Sequence, residues 1–253
     1  MKKYILFFGL LAACITNVPA QKVLLAQDVT KDTVEEKFGP NKKYFGHMYV
    51  GYGLVAGPAE NKGSAVEYGD SHEWLFGYRF KYKVGNVYAL GFDVTVNPIT
   101  YYMKQKEGKT LPNSFLFDEE KFKFTNFGLN VYQRFNWDKR GNYVGNFVDM
   151  GAYGNWMPVK VHIYEDDDLL GTNGWLAGVK DVKVRETGLR YVSDFNYGAL
   201  LRVGFNRYVF YGSYRLSDLF NTGYTVTDGN GENMFDFAEL PRIMVGFQLS
   251  MHK

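Results

Sequence analysis

From Tyr44 almost to the end of the chain, apolar and polar side chains alternate one for one in eight separate stretches. The second stretch is the cleanest. Trp74, Phe76, Tyr78, Phe80 and Tyr82 fall on one side, and Leu75, Gly77, Arg79, Lys81 and Lys83 on the other. A period of two marks a strand, because a helix would bring residues three and four apart onto one face. The first stretch, Tyr44 to Val55, sets Met48, Val50, Tyr52 and Leu54 against His47, Tyr49, Gly51 and Gly53. The third sets Tyr88, Leu90, Phe92, Val94 and Val96 against Ala89, Gly91, Asp93, Thr95 and Asn97. The fourth sets Phe127, Leu129, Val131, Phe135 and Trp137 against Gly128, Asn130, Tyr132, Arg134 and Asn136, with Gln133 alone out of place. In the fifth, Val148, Met150, Ala152 and Trp156 oppose Phe147, Asp149, Gly151 and Tyr153; aromatics on both faces leave its register open. The last three resume the pattern: Tyr197 to Phe205 against Gly198, Leu200, Arg202 and Gly204; Tyr208, Phe210, Tyr214 and Leu216 against Val209, Tyr211, Ser213 and Arg215; and Ile243 to Met251 against Met244, Gly246, Gln248 and Ser250.

The connections alternate as well. Three are short, at Val84 to Asn86, Asp138 to Asn142, and Asn206 with Arg207. The four long ones, about 58 to 71, 103 to 120, 164 to 189 and 221 to 240, lie near or beyond the upper end of ordinary loop lengths. Short turns at one rim and long loops at the other predict an all-β fold, an eight-stranded antiparallel up-and-down transmembrane β-barrel with short periplasmic turns and long extracellular loops. An even strand number puts both chain ends at the short-turn rim. The barrel would occupy residues 44–253 after a periplasmic tail at 21–43, with a short helix expected through Val34 to Phe38.

Composition sharpens this reading. Aromatic residues make up 18% of the chain, with 20 Tyr and 21 Phe, more than a soluble core requires. Lys2 and Lys3, an apolar run from Tyr4 to Ile15, and Val18-Pro19-Ala20 before Gln21 have the order of an export signal over 1–20. Leu11-Ala12-Ala13-Cys14 also resembles a lipobox, so whether Cys14 is lipidated or leaves with the signal stays open. Cleavage after Ala20 would remove the single cysteine, and with it any disulfide. It would also take the formal charge from +2 to 0, since the leader carries two lysines and no acid. No basic surface for nucleic acid is implied. No later segment approaches the roughly 20 apolar residues of a membrane helix, so a membrane crossing requires a barrel.

Aromatic residues gather near both expected rims: Tyr82, Tyr88, Trp137, Phe205 and Tyr208 by the short turns, and Trp74, Tyr101, Tyr102, Phe122, Phe124, Trp156 and Tyr191 by the long loops. We read these as two girdles at headgroup level. A soluble lipocalin-like carrier would alternate too, but would point Lys, Glu and Thr outward; here the polar face is mostly Gly, Asn, Ser and Arg, which suits a crowded lumen.

Two runs carry a family resemblance: Tyr214-Arg215-Leu216-Ser217-Asp218-Leu219-Phe220 followed by Pro241-Arg242-Ile243-Met244-Val245-Gly246-Phe247-Gln248-Leu249, and Phe45-Gly46-His47-Met48-Tyr49-Val50-Gly51-Tyr52-Gly53. They resemble the small outer-membrane β-barrel proteins of Bacteroidetes, the PorT-like group. That resemblance implies localisation in the bacterial outer membrane, contact with its lipid and lipopolysaccharide, and a role accessory to secretion or surface assembly. Such barrels usually close on an aromatic residue, whereas Met251-His252-Lys253 ends this chain and leaves Phe247 or Met251 as the insertion signal.

The lumen of an eight-stranded barrel is about filled by its own side chains. Arg79, Lys81, Arg134, Arg202 and Arg215 are expected inside, with Asp93 and Asp149 as the clearest acids to pair them, forming a plug; the alternative is a narrow anion-favouring path. For the alternative of an outer-leaflet lipid-modifying enzyme, Ser71, His72 and Glu73 are the one local cluster of hydrolase types, yet neighbours on a strand point to opposite faces. Glu165 to Asp168 lack the spacing of a calcium loop. No cofactor, metal site or catalytic residue is assigned. Phe115, Leu116, Phe117, Leu169, Leu170, Trp175, Leu176 and Phe235 stand out in the long loops, as cover for the barrel mouth or contacts for a protein partner, which could also meet the tail.

Overall fold

The computed structural model describes residues 37–137, 141–166, 182–221, 223–224 and 237–252. The expected leader, Cys14, most of the tail, Asp167, Asp168, Leu169, Leu170, Trp175, Leu176 and Phe235 lie outside the described residues.

Among the described residues nine strands follow one another: β1 (Tyr44–Ala56), β2 (His72–Lys83), β3 (Tyr88–Tyr102), β4 (Glu119–Trp137), β5 (Asn146–Asp166), β6 (Val182–Thr187), β7 (Phe195–Phe205), β8 (Tyr208–Arg215) and β9 (Ile243–Met251). Each pairs antiparallel with its sequence neighbour except that β5 passes to β7, and β1 closes on β9. Eight strands therefore form the closed barrel, and closure leaves it no open edge. β6 is the addition. It pairs with the far end of β5, from Val161↔Thr187 to Asp166↔Val182, inside what the sequence suggested was an irregular loop.

The strands by the long loops run further than expected, with 19 residues in β4 and 21 in β5. Their pairing shifts from Thr125↔Val159 to Phe127↔Trp156, so β5 spends one extra residue at Met157 and Pro158. Proline cannot donate to a ladder, and a bulge is where a strand tolerates it. Beyond this bulge β3, β4, β5 and β6 continue as a sheet above the barrel.

Burial settles which face of each of the eight barrel strands turns inward. In β5, Phe147 and Asp149 face inward while Met150 and Trp156 face outward. Gln133 does sit among the apolar residues, exposed, where its Oε1 accepts from Tyr88 Oη at 3.0 Å. The outer wall between the rims is a continuous belt of exposed Phe, Tyr, Trp, Leu and Val, with Leu129 54% exposed near its middle. Inside, large rings lie over glycines of adjacent strands. A Cβ on Gly91 would come within 2.3 Å of the Tyr132 ring and of the Phe80 carbonyl oxygen, so only glycine lets that ring cross the lumen.

Candidate functional site

The barrel interior is layered, and the layers follow from which inward positions carry charge, amide or hydrocarbon. At the short-turn rim Phe45, Val144, Phe147 and Val209 make an apolar floor. His47 stacks on Phe45 with centroids 5.1 Å apart and meets His252 edge-on at 5.0 Å.

Above the floor lies a chain of charges. Arg79 Nε donates to Asp93 Oδ1 at 3.1 Å, and its Nη2 donates to Gln248 Oε1 at 2.7 Å. Arg134 grips Asp149 side-on, Nε to Oδ1 at 2.6 Å and Nη2 to Oδ2 at 2.8 Å. Arg202 links the two pairs, donating to Asp93 and standing 3.6 Å from Asp149. The sequence Arg79, Asp93, Arg202, Asp149, Arg134 thus alternates in sign and ends on a cation at both ends. Lys81 donates to the Pro40 carbonyl, and Arg215 lies elsewhere, so the seven expected lumen charges are all buried but do not form one network.

The next layer is amide-rich and was not anticipated as a unit. Glu73 accepts from Tyr211 Oη at 2.7 Å and Asn97 Nδ2 at 2.6 Å. Asn126 donates to Asn97 at 3.3 Å, Asn196 to Asn126 at 3.5 Å and Asn155 to Asn196 at 3.0 Å, crossing four strands. This belt surrounds a cavity of about 80 Å³. Glu73 was legible as an inner residue, since it shares parity with Gly77, Arg79 and Lys81; reading it with Ser71 and His72 hid that. Those three do diverge: Ser71 and Glu73 are buried, whereas His72 stacks on Tyr52 outside and its Nδ1 meets the Asp70 carbonyl at 2.6 Å.

An apolar plug closes the long-loop end. Val66, Leu111, Leu189, Val192, Leu219, Phe220 and Leu240 from the loops pack on Val55, Tyr101, Met103, Phe122, Phe124, Met157 and Met244. Here three girdle assignments are corrected. Tyr101 is 4%, Phe122 0% and Phe124 2% exposed, and all three point into the plug. Their parity matches that of Asn97 and Gly128, so alternation carried past the supposed strand ends would have put them inside. Tyr191 leans on the plug through Phe220 and Phe237, and Tyr102 is half-buried. Trp74, Tyr82, Trp137, Trp156, Phe205 and Tyr208 are exposed on the outer wall, with Tyr88 half-exposed beside them. Of the loop residues expected either to cover the mouth or to meet a partner, three are described: Phe115 and Leu116 are exposed, and Phe117 packs with its ring 4.6 Å from that of Tyr164.

Glu239 fastens this plug. Its carboxylate accepts from Arg215 Nη1 at 2.7 Å and from the backbone of Leu219 at 2.8 Å and Phe220 at 3.0 Å. Its carbonyl accepts from Ser64 Oγ at 2.9 Å, and its amide donates to Glu60 at 2.5 Å. One residue therefore ties the first and last long loops to the barrel. Glu239→Ala keeps the backbone contacts to Ser64 and Glu60 but is expected to open the last long loop to limited proteolysis at least tenfold faster, as about 1–3 kcal/mol of buried bonding is lost, while the barrel keeps its heat-dependent gel mobility. Unchanged cleavage would show that apolar packing alone holds the plug.

In the sheet above the barrel, His162 is buried between two carboxylates, with Nε2 2.8 Å from Glu120 Oε1 and Nδ1 2.9 Å from Glu186 Oε2. Glu120 also accepts from Lys109 and from Gln105 at 2.9 Å; burial pulls the Lys109 ammonium below its ordinary value even though Glu120 opposes that shift. His162 thereby joins β4, β5 and β6. His162→Ala should raise amide exchange across 182–187 by ten- to a hundredfold, about 1–3 kcal/mol, and leave 44–56 protected. Equal exchange in both proteins would remove this role for the histidine.

No protein-family model matches the chain, and no curated protein matches it.

Proposed function

We propose that the protein is a non-enzymatic outer-membrane barrel whose lumen is sealed and whose long-loop sheet is the working surface, with a structural or interaction role. The observation that carries this reading is the polarity of the wall. Along the middle of the barrel charge and amide lie inside and hydrocarbon outside, the reverse of a water-soluble protein. Beyond the bulge the two faces mix: Phe122 and Phe124 turn inward beside the buried Glu120 and His162, while Lys123 is exposed on the same strand. A wall that leaves hydrocarbon for water should change in this way.

Among the described residues an apolar floor, a charge chain and a plug fill the lumen, which favours an interaction role over transport. The resemblance of the Tyr214 to Leu249 and Phe45 to Gly53 runs to PorT-like barrels supports an accessory role in secretion or surface assembly, with the partner meeting the loops or the tail. Envelope fractionation followed by gel electrophoresis with and without boiling tests the proposal. A band in the outer-membrane fraction that changes mobility on heating is expected. Recovery as a soluble periplasmic protein would overturn the reading in favour of a carrier.

A further inference from the structure

The charge chain in the lumen does not sum to zero. Three guanidiniums, which stay protonated, face two carboxylates, and all five side chains are at most 3% exposed among the described residues. The next acid in the lumen, Glu73, lines the same cavity as Arg202 and is already held by Tyr211 and Asn97, and the next cation, Lys81, donates to the Pro40 carbonyl, so counting both leaves four cations and three carboxylates. One positive charge is left over. An isolated charge in such surroundings is costly unless something compensates it.

Arg202 is where that charge meets open space. It is 3% exposed, and it lines the 80 Å³ cavity. Its Nη1 makes no hydrogen bond among the described residues, 3.6 Å from Asp149 being beyond reach. The rest of that wall carries the neutral donors Asn130, Tyr153, Asn155 and Ser213, the guanidiniums of Arg215 and Arg242, held by Glu239 and Asp218, and the Glu73 carboxylate, held by Tyr211 and Asn97. A cavity that size holds several waters or a small ion, since one water needs about 10–15 Å³ by the same measure.

We propose that the chamber is a binding site for one small inorganic anion of halide size, held by Arg202 and the neutral donors beside it. The anion neutralises the chain and fixes Arg202 between Asp93 and Asp149. It is a structural ion, and its binding does not depend on where the barrel resides.

The test uses the full chain in detergent micelles, unfolded by heat in sodium chloride or sodium gluconate at equal ionic strength. Gluconate screens charge as chloride does but is too large for the chamber. Chloride is expected to raise the midpoint saturably by about 3 °C, and bromide-soaked crystals should show an anomalous peak beside Arg202. Arg202→Gln should abolish the difference between the two salts. If that variant does not fold, Ser213→Leu, which fills the chamber and leaves the charge chain intact, should abolish it instead. Identical midpoints in both salts, or bromide on the outer surface alone, would show that the chamber holds only water and overturn the proposal.

Discussion

Asp93→Ala is expected to strip about 3–5 kcal/mol from the folded barrel, the usual cost of removing one partner from a buried ion pair. Asp93 serves two cations, so its loss leaves Arg79 with Gln248 and the Tyr49 ring, and Arg202 with the 3.6 Å contact to Asp149 and the Tyr132 ring. It also takes away the group to which Tyr49 Oη donates at 3.3 Å. The penalty comes from cations left unpaired, and so it should shrink when one is removed. Arg79→Met placed on top of Asp93→Ala should recover about half of the loss. Urea unfolding in detergent, followed by tryptophan fluorescence, would measure both. A single variant within 1 kcal/mol of the parent would mean that water reaches the chain and that the lumen is not sealed as described.

Leu129→Arg is the second large effect, and its sign separates the two environments. Leu129 sits in the middle of the exposed belt, flanked across the ladders by Val94 and Gly154. In a lipid bilayer an arginine there costs about 2–4 kcal/mol at the midplane and falls toward zero near the interfaces. In water the same change removes an exposed leucine, costs almost nothing and improves solubility. Folding into lipid vesicles should therefore be weakened by Leu129→Arg. The same substitution at Tyr82, beside the short turns, should be close to neutral. Equal, small effects at both positions would sink the outer-membrane proposal and leave a soluble barrel.

The sequence carried the middle of the barrel almost completely. Alternation put Arg79, Asp93, Arg134 and Arg202 on one face and Trp74, Leu129 and Phe210 on the other, because side chains on a strand take opposite faces without any help from tertiary contacts, and the apolar character of the second set marked it as the outer one. It faltered where polarity reversed. Tyr101, Phe122 and Phe124 looked like rim aromatics because hydrophobicity was read as meaning outward, a rule that holds only where the outer wall is apolar. Glu73 was hidden for a related reason: its sequence neighbours Ser71 and His72 suggested chemistry, while its parity pointed to the lumen.

What the chain determined by itself was therefore local and periodic: the strands, their two faces, the order of short and long connections, and the inward charges. Tertiary structure alone decided which of those charges touch. Arg202 joins Asp93 on β3 to Asp149 on β5 only because closure of β1 onto β9 curls distant strands around one lumen. The same holds for Glu239 clasping Ser64 and Phe220, and for β6 adding to β5. These contacts join residues far apart in the sequence, and periodicity, which speaks only of neighbours, carries no record of them.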